Sequence, residues 1–417
     1  MYLILKYMLK YNCTTYIILI YGDLITMENL VFVNRKGTNC YKWDPAQPPY
    51  GLVDFIPLTV ADLDYKCPNC VRSALKNYIE MGALGYGGPS DTYFSNFISW
   101  EKQYHNISIK REWLRFAPGV LVAIAWLLEE LFHPNDTCLI FTPVYEPFHN
   151  ISQKCGLNLI TSELINQNGY YSIDFSDFEE KIIQHKVKVL LFCSPHNPIG
   201  RVWTKEELTQ LISICKKHNV FIISDEIHHD ITLFGHIHLS LLSFTDYQHN
   251  IAMLTSPAKT FNLAGLENSF MVLPNEKIRD KIDKRQNRVG ITSGNILGNL
   301  ATETAYAGGR EWLENFFKII EKNYLFAKKL LLEAFPNLEI SPLEGTFLMW
   351  VNFKNYINSD FPIREYIAKK CGVLISDGFG YGGSQFATYA RINLATSEDL
   401  LKTALYQIIN GLSSHDC

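Results

Sequence analysis

Between about residues 138 and 255 the chain alternates short aliphatic runs with amphipathic segments of helix length. The expected order is strand 138–142, helix 144–155, strand 157–162, helix 175–185, strand 187–193, helix 205–218, strand 220–224 and strand 251–255. Apolar runs of four to seven residues, bounded by turn formers, read as strands buried on both faces. Thr204 with Glu207 three positions on is a capping box that starts the helix at 205. Strands linked through helices require crossover connections. The rhythm therefore demands an α/β fold with a mostly parallel sheet covered on both sides.

The flanks follow other patterns. Val31 to Asp44 reads as an extended arm, and Leu52 to Asp64 carries a strand and a loop. A helix from about Pro68 to Met81 ends at Gly82, before the turn-rich Gly85–Pro89 loop. Helix 90–104, a strand near Trp113–Phe116 and a long apolar helix opened by Ala117-Pro118-Gly119 come next. After Gly308-Gly309 a long helix from Arg310 to Phe335 is followed by strand pieces at 338–340, 347–351 and 373–375, a helix at 361–370, the run Arg391–Leu394 and a last helix at 397–412. This reads as a smaller α+β domain built from 27–55 and 311–417, beside a large domain of 56–310. Residues 1–26 superficially imitate a signal peptide. Their apolar core, Tyr16–Tyr21, is too short to span a bilayer, and no small-x-small cleavage site follows it. Met27 is the expected true start, the alternative being an amphipathic appendage.

Composition excludes several classes. A net charge of −4 without a Lys/Arg cluster offers no footprint for nucleic acid. With 47% apolar and 19% charged residues the chain has the make-up of an ordinary globular protein, and nothing in it calls for a membrane. The ten cysteines lack framework spacing, which favours free thiols in a reducing cytoplasm. Cys67-Pro-Asn-Cys70 has no second pair to complete a zinc ribbon and reads as a loop entering a helix. His236 and His238 read as a loop pair, and Arg285 and Arg288 as solvated residues of a polar helix face.

Three polar side chains stand out by position. Asn197 follows strand 187–193, Asp225 follows Phe221-Ile222-Ile223, and Lys259 follows strand 251–255. Side chains at the carboxyl ends of successive core strands converge on one crevice. A carboxylate buried there needs a cation or donors to stay ionised, so Asp225 is suited to a protonated ring nitrogen. Gly119-Val120-Leu121 opens a helix whose free N–H groups form an anion site.

The stretch Ser194–Trp203 together with Asp225-Glu226-Ile227-His228 resembles fold type I pyridoxal-phosphate (PLP) enzymes of the aspartate aminotransferase superfamily, more closely the MalY/PatB branch of cystathionine β-lyases. The resemblance runs from about Val31 to the C-terminus. It implies that Lys259 is the Schiff-base lysine and proton carrier, and that Asp225 holds the pyridine nitrogen. Asn197 and the neighbouring His228 would serve the phenolic oxygen, with a supporting hydrogen bonder as the alternative for His228. Ser256 and the Gly119–Leu121 amides would hold the phosphate, and Tyr145 would stack on the ring unless it is a core tyrosine. Arg391 would clamp the substrate α-carboxylate, Ala61 would lie against substrate, and Tyr86 would reach the neighbouring subunit's phosphate in a homodimer. Two departures are evident. Ala258 stands where a second serine is common, and Leu266-Glu267-Asn268 stands where aminotransferases place an arginine. The implied reaction is β-elimination from cystathionine or a related S-substituted cysteine. An amino-acid aminotransferase is the alternative on the same fold, and a non-catalytic PLP-fold regulator is the alternative of another class.

Overall fold

The computed structural model describes residues 30–45, 49–52, 54–357 and 362–413, with the backbone of a hairpin at Ile17–Ile20 and Asp23–Thr26. The expected start at Met27, and the termini of the Tyr16–Tyr21 run, lie outside the described residues. Among the described residues no helix is long and apolar enough to cross a membrane.

The main sheet has seven strands: β1 (Leu114–Ala117), β2 (Thr137–Thr142), β3 (Asn158–Glu163), β4 (Val187–Cys193), β5 (Phe221–Asp225), β6 (Ile251–Thr255) and β7 (Ser269–Val272). They lie in the order β1-β7-β6-β5-β4-β2-β3. The pairs among β6, β5, β4, β2 and β3 are parallel, while β7 runs antiparallel to both of its neighbours. Successive side chains of a strand point to opposite faces. Accordingly Leu190, Phe192 and Ile222 enter one apolar cluster while Val189, Leu191 and Ile223 enter the other. Each such buried side chain stabilises the fold by about 2 kcal/mol.

Helices cover both faces. On one lie α1 (Asn69–Glu80), α2 (Asp91–Tyr104), α5 (Phe175–His185) and α6 (Lys205–His218). On the other lie α3 (Val120–Leu131), α4 (Pro147–Lys154) and α7 (Glu276–Val289). The Thr204–Glu207 capping box is complete in both directions, and Asn219, left-handed at φ 54°, closes α6. Helix α8 (Ile296–Gly308) packs beside α1 and α2.

The C-terminal part forms a second, antiparallel sheet of β8 (Glu339–Ile340), β9 (Leu348–Asn352), β10 (Ser376–Asp377) and β11 (Tyr389–Asn393), ordered β8-β9-β11-β10. Around it run α9 (Arg310–Ala334), α10 (Ile363–Cys371) and α11 (Glu398–Ser413). Ile56–Pro57 pairs in parallel with Val373–Leu374, so the early strand returns to the C-terminal part.

Some expectations need correction. The arm from Val31 to Asp44 is looped, not extended, because the Asp44 carboxylate gathers the N–H groups of Gly37, Thr38 and Cys40. Helix 144–155 begins three residues late, at Pro147, whose ring suits the first helical turn. β7, the hairpin Ile165–Gln167/Tyr170–Ser172 and α8 were not foreseen. Arg285, 22% exposed, pairs with Glu129 and Glu130 and so is more than a solvated residue, whereas Arg288 is 61% exposed as expected and adds one ion pair to Glu130.

Candidate active site

Two adjoining cavities open at the carboxyl ends of β4, β5 and β6. The inner one, of about 220 Å³, is lined by Gly119, Tyr145, Asn197, Asp225, His228, Ser256 and Lys259. The outer one, of about 570 Å³, shares Ala61, Tyr145 and Lys259 with it and reaches Arg391. The convergence expected from strand order is therefore present.

Asp225 ends β5 and is 4% exposed. Its carboxylate accepts one hydrogen bond, from Ile227 N at 3.1 Å. Burial pushes its pKa up to about 7, against the pull of that amide and of Lys259. A carboxylate so poorly compensated calls for a cation in the cavity. Lys259 sits in the short helical turn Pro257–Thr260, capped by Ser256 Oγ accepting from Ala258 N. Its ammonium donates to the Ala61 carbonyl, which brings the 60–64 loop over the site. Burial, helped by Arg391, brings the amine down to about 8 despite Asp62 and Asp225.

Asn197 Oδ1 accepts from Arg391 Nη1 at 3.1 Å, and Arg391 Nη2 lies 3.4 Å from Ser376 Oγ. The Arg391 guanidinium also stands 5.2 Å from the Tyr381 ring centre. His228 is buried edge-on to Phe347 and held neutral, because burial and then the Lys259 and Arg391 charges lower its pKa well below the usual value. The Ser194–Trp203 stretch is mainly scaffolding. His196 Nε2 donates to Pro143 O at 2.8 Å, Trp203 Nε1 to Cys193 O at 3.0 Å, and Arg201 Nε to Glu344 at 2.8 Å.

At the far end of the inner cavity lies the N-terminus of α3. A Cβ on Gly119 would meet nothing within 4 Å, so the backbone N–H groups of Val120 and Leu121 are open to an anion there. Ser256 Oγ spends its proton on Asn268 O at 2.6 Å. No arginine lines this cavity. A protonated ring nitrogen for Asp225, a carbonyl carbon for Lys259 and a phosphate for the helix end fit PLP. Tyr86 is not part of this site: it stands fully exposed on its loop.

Other contributors escaped the sequence. Cys193, Ile227, Glu267 and Asn268 also line the inner cavity. Beneath it, His229 Nε2 meets Glu101 at 2.9 Å and its Nδ1 meets Thr255 Oγ1 at 2.9 Å. Asp230 accepts from Trp100, His105 and Thr260. This buried cluster fastens the Asp225–Asp230 segment to both ends of the Lys259 turn. His238 lies in a loop as expected, yet it is buried and pairs with Glu226 at 2.8 Å. Glu101, Glu226 and their histidines are far apart in sequence, so no local spacing could have revealed them.

Residues 53–408 match the family model for aminotransferases of class I and II. The chain is 33% identical to the cystathionine β-lyase PatB of Bacillus subtilis, over 91% of this chain and 98% of that protein. A PLP-bound Clostridium difficile protein provisionally assigned as an aminotransferase is 39% identical, covering 92% of this chain and 98% of that one, with a TM-score of 0.88. Cystalysin from Treponema denticola, which contains PLP, is 31% identical over 93% and 99% of the two chains, again with a TM-score of 0.88. The chain therefore belongs to the class I and II aminotransferase family, as a fold type I PLP enzyme of MalY/PatB type.

Proposed function

We propose that the protein is a PLP-dependent carbon–sulfur β-lyase that splits L-cystathionine or a related S-substituted L-cysteine into a thiol, pyruvate and ammonia. The observation that carries this reading is the joint placement of Lys259, Asp225, Asn197 and Arg391 around one cavity, in a chain whose PatB and cystalysin relatives share its length.

When bound, PLP supplies an electron sink for the pair left at Cα when its proton is removed. The chain's own residues do the rest. Arg391 holds the substrate α-carboxylate through two parallel N–H donors, a geometry lysine cannot offer. Lys259, with an amine at about 8, is neutral in a useful fraction near neutral pH and takes the Cα proton. Asp225 keeps the ring nitrogen protonated, and that charge in turn stabilises the buried carboxylate. Asn197, its Oδ1 engaged by Arg391, offers its amide N–H groups to the phenolic oxygen, with neutral His228 beside it. Tyr145 would flank the ring, Ser256 and the Gly119–Leu121 amides would hold the phosphate, and Ala61 would border the substrate.

The molecule is proposed to work as a homodimer in which Tyr86, exposed on its own subunit, completes the partner's site. A cytoplasmic, reducing setting agrees with the free thiols of Cys40, Cys138, Cys155, Cys193, Cys215 and Cys371. A second reading, amino transfer, is kept because the Clostridium difficile neighbour carries that assignment.

The deciding experiment offers L-cystathionine to the PLP-loaded protein without a keto acid. Equal release of pyruvate and thiol is expected. Turnover only after 2-oxoglutarate or pyruvate is added would make the protein an aminotransferase, and no turnover in either assay would leave a PLP-fold regulator.

A further inference from the structure

The outer cavity continues past Arg391 to a second group of charges. Arg364 from α10, Asp377 from β10 and Glu146 from the turn before α4 line the same 570 Å³ space as Lys259 and Arg391. Arg364 is the unusual member. Its Nε is shielded from solvent and has no hydrogen-bond partner among the described residues. It also sits in the first turn of α10, where the helix dipole disfavours a cation. Neither folding nor helix stability accounts for a guanidinium held there.

The two carboxylates complement it. Asp377 accepts from Gly380 N at 3.4 Å, and the Glu146 carboxylate crosses so close to Gly380 that a Cβ there would lie 3.0 Å from it. Arg364 and Asp377 share the lining of this cavity with Glu146, so both signs of charge face the same space. Arg391 and Arg364 thus supply two guanidinium groups to one cavity, together with the two carboxylates. A ligand that complements this layout carries an ammonium and a carboxylate at both of its ends.

Resting on the lyase reading, we propose that Arg364, Asp377 and Glu146 form a subsite for a distal amino-acid head. Arg364 takes its carboxylate, and Asp377 and Glu146 take its ammonium. The preferred substrates are then thioethers whose leaving thiol is itself a zwitterionic amino acid, in place of simple S-alkyl cysteines.

The test compares L-cystathionine with S-ethyl-L-cysteine on PLP-loaded wild type, Arg364→Gln and Arg364→Lys. For cystathionine, Arg364→Gln is expected to raise KM at least about tenfold, as befits one lost charge-assisted pair. Its kcat, and both constants for S-ethyl-L-cysteine, should stay within about twofold, and Arg364→Lys should recover part of the loss. Equal losses on both substrates, or no loss on either, would overturn the subsite while leaving the lyase intact. Thiol release from neither substrate by wild type would overturn the lyase reading and the subsite with it. Glu146→Gln, an exposed position that cannot unfold the protein, should repeat the selective effect; unchanged cystathionine kinetics would remove Glu146 from the subsite.

Discussion

Arg391 Nη1 donates to Asn197 Oδ1 across 3.1 Å, joining β11 of the second sheet to the loop after β4 of the main sheet. The contact turns the Asn197 amide so that its oxygen faces the guanidinium, and its nitrogen has no partner among the described residues. In the proposed roles of Arg391 at the substrate carboxylate and Asn197 at the cofactor, the contact couples the two, so a change in either should be felt by both.

Replacing Arg391 by lysine keeps the charge but loses the paired donors and the hold on Asn197. The expected outcome is a fall in kcat/KM of about a hundredfold, carried mainly by KM. Steady-state kinetics on the thioether substrate checks it.

Lys259→Ala should lower thiol release by at least about a thousandfold, since the proton-transfer group is gone. The fold should survive, because the amine's hydrogen bond is to the Ala61 carbonyl alone, and Asp225, losing a nearby cation, can take up a proton instead. Circular dichroism and the pyruvate assay on the same sample separate the two effects, and retained turnover would sink the assignment.

The pH dependence of the cofactor-free protein follows from Asp225. Its folded pKa, about 7, lies above the ordinary 3.8, so the folded state binds the extra proton. Apo stability should therefore fall as pH rises from about 4 to about 7, by a few kcal/mol. PLP, by bringing a cation to the carboxylate, should raise Tm more at pH 8 than at pH 5. Asp225→Asn should remove that difference, as read by thermal melts with and without PLP.

The His229–Glu101 pair should act in the same direction, over a higher pH range. Burial pulls His229 down, but Asp230 and Glu101 outweigh it and raise its pKa to about 10. The stabilisation is complete below about pH 6.5 and is lost as pH rises through about 10. Glu101→Gln is expected to cost roughly 3 kcal/mol at neutral pH. A denaturant titration checks it, and a loss of PLP affinity would accompany the loosened Asp225–Asp230 segment.

If Tyr86 serves the partner's site, subunits carrying Tyr86→Ala and subunits carrying Lys259→Ala are each inactive alone but complement each other. Random mixing should restore about a quarter of wild-type activity, since half the dimers are hybrids with one intact site of two. No recovery after subunit exchange would remove Tyr86 from the shared site.

The amino-acid order by itself determined the alternation of strands and helices, because burial on both faces leaves a continuous apolar run whatever the neighbours are. It determined α6 to the residue through the Thr204–Glu207 box, and it put Asn197, Asp225 and Lys259 at strand ends where topology alone makes them meet. What only the tertiary structure decided are the contacts between distant segments. Glu101 under His229, Glu226 beside His238 and Arg364 in the outer cavity each belong to elements more than ten residues from what they face, and no local periodicity encodes such a meeting. The strand β7 was hidden for a related reason. Ser269–Val272 is a short apolar run that periodicity alone does not assign, and its place between β1 and β6 comes from pairing, which exists only once the sheet has formed.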